Sequence, residues 1–249
     1  MKKIFFSLLL LVALALPARA QFSAYGVQLG GGYSHVVDNL ISKGGIFGFG
    51  VGGYVTYEFS EAKSVLADRF YLQGGLNIIR RGGQFEQSFN VVNGTVTYTT
   101  TRQGYYHAWY AQIPILASFR YELPINKAGH YVRAFVGPAL SVGLFGNYSD
   151  RCVSPHRPQT SVNFNIEKDP AFDHMNRIDV DAIIGVGYQY DNIVANLYVD
   201  YGFLAIGKET DVLRTLENVQ QGSTEEVFIP GGNIATFMLS VAYQFPIKH

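Results

Sequence analysis

The chain has 249 residues with 19 basic and 19 acidic side chains, 27 Gly, 17 Tyr, 18 Phe and one Cys. The single cysteine, Cys152, excludes an internal disulfide and argues against a cysteine-based metal site. The balanced charge lacks the basic excess of nucleic-acid-binding proteins, so nucleic acid is not an expected partner.

The first 20 residues have the form of a secretory signal peptide. Two lysines precede an apolar run over residues 4–16, and residues 17–20 (PARA) end in an A-x-A cleavage signal at Ala20. The run is too short for a spanning helix. We therefore expect residues 1–20 to be a signal peptide and residues 21–249 to form one exported domain. That domain holds 16 basic and 19 acidic residues, a net charge of −3.

The exported part repeats a pattern of alternating apolar residues, seen best in residues 46–59 (IFGFGVGGYVTYEF). A period of two indicates a β-strand with one apolar face. A strand of this length is long for a globular protein but suits a tilted strand that crosses a bilayer. The pattern predicts eight strands, at about 25–35, 46–59, 69–80, 105–121, 131–145, 178–190, 193–205 and 234–246.

The segments between the predicted strands alternate in length. Short segments fall at 60–68, 122–130 and 191–192; long ones fall at 81–104, 147–177 and 206–233, and 36–45 is intermediate. Short periplasmic turns and long external loops are typical of outer-membrane barrels. We predict an all-β fold, an eight-stranded antiparallel transmembrane β-barrel with short periplasmic turns and long extracellular loops. Its expected location is the outer membrane of a Gram-negative-type bacterium.

Three features of the long segments carry further expectations. Asn93-Gly94 lies between alternating runs and predicts a hairpin that carries strands three and four beyond the membrane. Residues 147–177, which contain Cys152, are expected to be an irregular external loop. Residues 211–220 are expected to form one short helix within an acidic loop.

Aromatic residues cluster at both ends of the outward faces, as expected for the two girdles at the membrane interfaces. The periplasmic girdle is predicted to contain Tyr57, Phe59, Phe119, Tyr121, Tyr188, Tyr190, Tyr243 and Phe245. The outer girdle is predicted to contain Phe47, Trp109, Phe203 and Phe237. A soluble, lipocalin-like barrel or sandwich is the competing fold. The small residues on the polar face favour the membrane barrel, because the interior of an eight-stranded barrel is crowded.

Four strand phrases together resemble the PorT-like outer-membrane β-barrel family. They are QIPIL at 112–116, AFVGP at 134–138, IDVD with GVGY at 178–181 and 185–188, and DYGF at 200–203. The chain departs from the family pattern at Gln112, where an acid is usual, and at Asp181, where Gly is usual. The resemblance implies an eight-stranded barrel. The family's namesake is a component of type IX protein secretion.

Six charged residues are predicted to face the lumen: Glu58, Arg120, Arg133, Asp179, Asp181 and Asp200. Arg120 and Arg133 flank one short turn, so antiparallel pairing brings them together. Two like charges in a narrow lumen need carboxylate partners, for which Glu58 and Asp200 are the candidates. The predicted result is a salt-bridge network that fills the barrel.

A filled lumen favours a structural or accessory role through partner contacts, in a secretion or surface assembly, over a conducting path. A ligand-binding or small-solute-translocating barrel is the alternative. A lipid-modifying enzyme or protease would need His107 or His174 beside Asp179 and Asp181 at the external rim. The expected protein is not an enzyme and uses no cofactor or metal, since the remaining histidines lack ligand spacing. Outer-membrane lipid is its expected surrounding.

Overall fold

Eight antiparallel strands form a closed barrel. The computed structural model describes residues 20–37, 42–59, 69–93, 96–124, 129–153, 176–205 and 232–247. The strands are β1 (Ala20–Val37), β2 (Ser42–Phe59), β3 (Phe70–Asn93), β4 (Val96–Glu122), β5 (His130–Val153), β6 (Ile178–Tyr190), β7 (Ile193–Gly202) and β8 (Asn233–Pro246). Each strand pairs with the next along the chain, and β8 closes on β1. The predicted fold class is confirmed.

Several strands run further than predicted. β3 and β4 continue to Asn93 and Val96, which face each other in register, so the predicted hairpin is confirmed. β5 continues to Val153 because it pairs with β4 as far as Thr101. The expectation of an irregular loop at 147–153 was therefore wrong, and Cys152 lies in a strand. β7 is shorter than predicted and ends at Gly202.

The two ends of the barrel differ. At one end, here called the short-turn end, β1 begins, β8 ends and Asp191-Asn192 joins β6 to β7. At the opposite, long-loop end, β2 last pairs with β3 at Phe85 and β6 first pairs with β5 at Val142. Beyond that level three strands continue as an extension. It consists of residues 86–93 of β3, residues 96–103 of β4 and residues 151–153 of β5. Two predictions fall outside the described residues. They are the helix predicted for 211–220 and the signal peptide predicted for 1–20, of which the structure describes only Ala20.

The outer face of the barrel is apolar. Side chains that are about half exposed include Val27, Leu29, Leu76, Ile113, Ile115, Val136, Ile184, Val186, Leu197, Leu239 and Val241. A continuous band of this kind is not stable against water and marks contact with lipid. The lipocalin-like alternative, which requires the apolar face inside, is therefore excluded. No helix among the described residues is long and apolar enough to cross a membrane.

Glycines on the inner face make room for polar side chains in the lumen. A Cβ atom at Gly52 would lie 2.0 Å from Asn77 Oδ1, and one at Gly202 would lie 2.0 Å from Asp179 Oδ2. The Gly-rich inner face therefore exists because large polar residues on facing strands already occupy the space.

The turn between β6 and β7 depends on the backbone of Asp191. Tyr190 pairs with Ile193, and Asp191 has a φ of 53°, in the left-handed region. Asp and Asn tolerate this region, whereas a β-branched residue is strained there. We expect Asp191→Val to lower the free energy of unfolding by about 1–2 kcal/mol. Asp191→Gly should change it little. Urea unfolding in lipid vesicles measures both, and equal losses for Val and Gly would contradict this account of the turn.

Candidate functional site: the polar lumen

Arg81 lies at the centre of a buried ion-pair cluster. It projects from β3 across the lumen, and its guanidinium meets the carboxylate of Asp181 on β6 in a two-pronged contact. Arg81 Nη1 lies 2.7 Å from Asp181 Oδ1, and Nη2 lies 2.9 Å from Oδ2. Both side chains are fully buried. Paired parallel bonds of this kind are the strongest arginine–carboxylate geometry and fix the orientation of both groups.

Four further polar side chains surround the fork. Asp200 on β7 places Oδ2 3.1 Å from Arg81 Nη2, and Asp179 on β6 places Oδ2 3.7 Å from Nη1. Ser141 on β5 accepts a bond from Arg81 Nη2 at 2.8 Å and donates to Asp181. Gln112 on β4 donates to Asp181 and Asp200 at 3.1 and 2.9 Å. Side chains from five consecutive strands, β3 to β7, thus converge on one guanidinium. We call this group the Arg81 cluster; its members are Arg81, Gln112, Ser141, Asp179, Asp181 and Asp200.

The Arg81 cluster closes the lumen. In the closed barrel two strands separate β3 from β6 on one side and four on the other, so the contact between Arg81 and Asp181 crosses the interior. An apolar layer on the long-loop side of the cluster excludes water, and its side chains are at most 2% exposed: Val36, Phe85, Tyr106 and Ile234. Low dielectric on this side strengthens the ion pairs, and it makes any unpaired charge costly.

Arg120 and Glu58 form a second, separate ion pair at the short-turn end. Arg120 Nη1 lies 2.8 Å from Glu58 Oε1, and the two side chains are 31% and 36% exposed. Arg120 also lies over the rings of Tyr71 and Tyr131. A pair this exposed contributes little to stability, because water competes for both charges.

Arg133 is buried between these two groups and contacts neither. It faces Arg120 across the β4–β5 pair, as the sequence predicted. Its Nη2 donates to Gln73 Oε1 at 2.8 Å, and its guanidinium lies 5.3 Å from the centre of the Tyr71 ring. Arg133 is 2% exposed, and none of the carboxylates in the described part of the chain lies within ion-pair distance of it.

The six lumen charges predicted from the sequence therefore divide into two groups and one isolated side chain. Asp179, Asp181 and Asp200 join Arg81, Glu58 joins Arg120, and Arg133 stays apart. The expectation that Asp200 partners one of the two paired arginines was wrong, because Arg81 and Gln112 hold it. Arg81 itself was missed, since the strand was expected to end at residue 80. The inward phase of Gln73, Asn77 and Ile79 continues directly to Arg81, and that continuation was the available signal.

Among the residues that the structure describes, the histidine–carboxylate pair considered from the sequence does not form. His107 lies on the outward face between buried Tyr106 and Ala108, where its ring stacks on Tyr105. Its Nε2 lies 3.5 Å from Asn147 Nδ2 rather than beside Asp179. His174 lies outside the described residues. Within the described ranges, no group of three or more His, Cys, Asp or Glu side chains is placed to hold a metal ion.

Aromatic residues form contacts at both ends of the outer face. At the short-turn end the ring centres of Tyr57, Phe119 and Phe245 lie 4.1, 5.1 and 5.0 Å from those of Phe22, Phe70 and Tyr25. Those three partners were not predicted. Tyr121, Tyr188, Tyr190 and Tyr243 are exposed at the same end, and the Phe59 side chain lies outside the described part. At the long-loop end Trp109 packs between Phe49 and Phe145, and Phe47, Phe203 and Phe237 are exposed.

A β-bulge explains why Phe145 was missed. Trp109 pairs with Phe145 but Tyr110 pairs with Gly143, so Leu144 is an extra residue on β5. A bulge reverses the alternation beyond it. Leu144 and Phe145 are consequently both exposed to the outside, at 44% and 61%.

Comparison with known proteins agrees with this geometry. No curated protein matches the chain in sequence. A family model described as "Outer membrane protein beta-barrel domain" matches residues 18–206. That match covers most of the chain and includes β1 to β7, whose outward faces are apolar and whose inward faces are polar. The chain therefore belongs to the outer membrane protein beta-barrel domain family and is an integral β-barrel of the outer membrane.

Proposed function

We propose that the protein is a structural or accessory component of the outer membrane that acts through contacts with protein partners and not by catalysis or transport. In this proposal the first 20 residues are removed on export. The short-turn end faces the periplasm and the long-loop end faces outward, following the usual arrangement of such barrels.

The observation that carries the proposal is the Arg81 cluster. A barrel that moves solutes needs an open lumen, whereas a bidentate ion pair across the interior and an apolar layer above it leave no aqueous path. Opening that path would separate buried charges in a low dielectric, which is costly. The filled lumen therefore favours a scaffold over the translocating alternative.

The extension at the long-loop end is the surface best suited to partners. From Arg81 to the hairpin at Asn93, β3 rises by about 40 Å along the strand, at ~3.3 Å per residue. Among the described strands only β3 and β4 reach this height, and β5 accompanies them as far as Val153, opposite Thr101. A rigid, strand-built projection holds its surface in one orientation, which lowers the ordering cost of binding a partner.

A role in type IX protein secretion is the specific form of this proposal. It rests on the four phrases that resemble the PorT-like family, at residues 112–116, 134–138, 178–188 and 200–203. Three of these phrases supply members of the Arg81 cluster: Gln112, then Asp179 and Asp181, and Asp200. In cells that lack the protein, type IX cargo should be retained in the periplasm. Unchanged cargo secretion would remove the type IX role.

A shortened hairpin tests the partner-contact proposal. Ser88 and Thr101 face each other in register, with their hydroxyl oxygens 2.9 Å apart. Replacing residues 89–100 with Asn-Gly should therefore leave a closed hairpin on an intact barrel. The tagged full-length protein is purified in mild detergent from native outer membranes, beside the shortened variant. We expect stoichiometric secretion or surface-assembly proteins with the full-length chain and a large loss with the variant. Equal recovery with both, or no partner with either, would contradict the proposal.

A further inference from the structure

A small cavity in the middle of the barrel lies beside the isolated Arg133. It has a volume of about 20 Å³, and a cavity needs roughly 10–15 Å³ to admit one water molecule. Arg133, Tyr54, Gln73 and Asn196 contribute polar walls, and an apolar cluster that includes Phe135 closes the opposite side. The cavity thus has room for one guest about the size of a water molecule or a halide ion.

Two buried polar groups at this cavity have no acceptor for their donor proton among the described residues. They are Arg133 Nε and the hydroxyl group of Tyr54, on side chains that are 2% and 5% exposed. Buried donors are normally satisfied, so each unpaired group indicates a missing partner. Asn196 has an unpaired side-chain oxygen at the same wall, and rotating its amide would present an NH₂ donor instead.

Arg133 also lacks a counter-charge. Its side-chain contacts are all with neutral groups: Nη2 donates to the amide oxygen of Gln73, and the guanidinium also interacts with the hydroxyl groups of Tyr54 and Tyr71 and with the Tyr71 ring. Glu58 is bound to Arg120, and Asp181 and Asp200 are bound to Arg81 and Gln112 on the long-loop side of the cavity. A buried guanidinium without an anion is strongly destabilising. A water molecule would satisfy the donors but leave the charge in place.

We propose that this cavity is a binding site for one halide-sized monovalent anion, with chloride as the natural candidate. Arg133 Nε and Tyr54 Oη donate to the anion, and the Arg133 charge is neutralised. Charge-assisted bonds of this type are roughly twice as strong as neutral ones.

Crystals of the whole protein grown in sodium bromide give the direct test. We expect an anomalous bromide peak in the cavity, within hydrogen-bonding reach of Arg133 Nε and Tyr54 Oη. This measurement needs no variant. If the carboxylates of the Arg81 cluster balanced the Arg133 charge from a distance, no anion would bind and no bromide peak would be seen. Density for water without an anomalous signal would overturn the proposal.

Thermal unfolding gives an independent test in solution. The unfolding midpoint of the wild type should be higher in sodium chloride than in sodium gluconate at equal ionic strength, because gluconate is too large to enter. Arg133→Gln should abolish this difference, whereas Arg120→Gln, the exposed arginine opposite, should retain it. If Arg133→Gln does not assemble, Tyr54→Phe replaces it. This variant should need a higher chloride concentration than the wild type for the same rise in the unfolding midpoint. Equal midpoints in the two salts for the wild type would overturn the proposal.

Discussion

Replacing Arg81 with leucine is expected to lower the free energy of unfolding by about 3–5 kcal/mol, the usual cost of removing one partner from a buried ion pair. The substitution leaves Asp179, Asp181 and Asp200 close together without a cation, in a region sealed by buried apolar side chains. Reversible urea unfolding in lipid vesicles measures the loss. Heat-modifiable mobility on gels reports whether the barrel still closes.

Two companion variants separate the Arg81 effect from a general loss of charge. Arg120→Leu breaks an ion pair that is about one-third exposed, so its cost should stay within about 1 kcal/mol. Asp181→Asn should lower the free energy of unfolding much less in the Arg81→Leu background than in the wild type, because the two side chains form one bidentate ion pair. Additive losses, or equal losses for Arg81→Leu and Arg120→Leu, would refute the assignment of the closing contact to Arg81.

Gly32→Ala is expected to impair closure of the barrel. A Cβ atom at Gly32 would lie 1.8 Å from the carbonyl oxygen of Phe237 and 2.9 Å from Met238 Cα. Both atoms belong to the backbone of β8, which pairs with β1 to close the barrel. Backbone atoms cannot rotate away as a side chain can, so the two strands must separate. Overpacking of this kind costs roughly 1–3 kcal/mol, and we expect a value at or above the upper end.

Gly74→Ala is the matched control for this substitution. Gly74 is also a strand glycine, on β3, but a Cβ atom there would have no neighbour within 4 Å. The alanine should leave stability unchanged or raise it by about 0.4–1 kcal/mol by restricting the unfolded chain. The yield of folded barrel and the urea midpoint are compared for both variants. A harmless Gly32→Ala would mean that β1 and β8 do not approach as closely as described.

The fold was largely predictable because the period of two is a local signal that survives along each strand. β6 was predicted at its observed bounds, where an apolar residue occupies every second position from Ile178 to Tyr190. Strand ends were less predictable on β3, β4 and β5, since the extension leaves the lipid and no longer needs an apolar outer face. The Asn93-Gly94 turn was the local signal that β3 continues.

The lumen was only partly predictable, because side-chain partners depend on which strands lie opposite each other in the closed barrel. The alternation correctly placed Asp179, Asp181 and Asp200 inside the barrel. Their partner Arg81 lies on β3, about 100 residues earlier in the sequence, so no local pattern could indicate the pairing. The pairing of Arg120 with Arg133 was predictable, because both flank one turn. The bulge at Leu144 directly follows Gly143, but glycines are frequent in the regular strands of this chain, so that glycine did not distinguish the bulge.

Buried ion pairs close the barrel, so contacts with partners are left to its outer surfaces. Single-channel recording of the purified wild-type protein in planar bilayers tests this most directly. We expect no conductance steps above the baseline, under applied potential and across a range of salt concentrations, because no aqueous path passes the Arg81 cluster. Reproducible, steady open steps from the wild-type protein would contradict it and restore the translocating alternative.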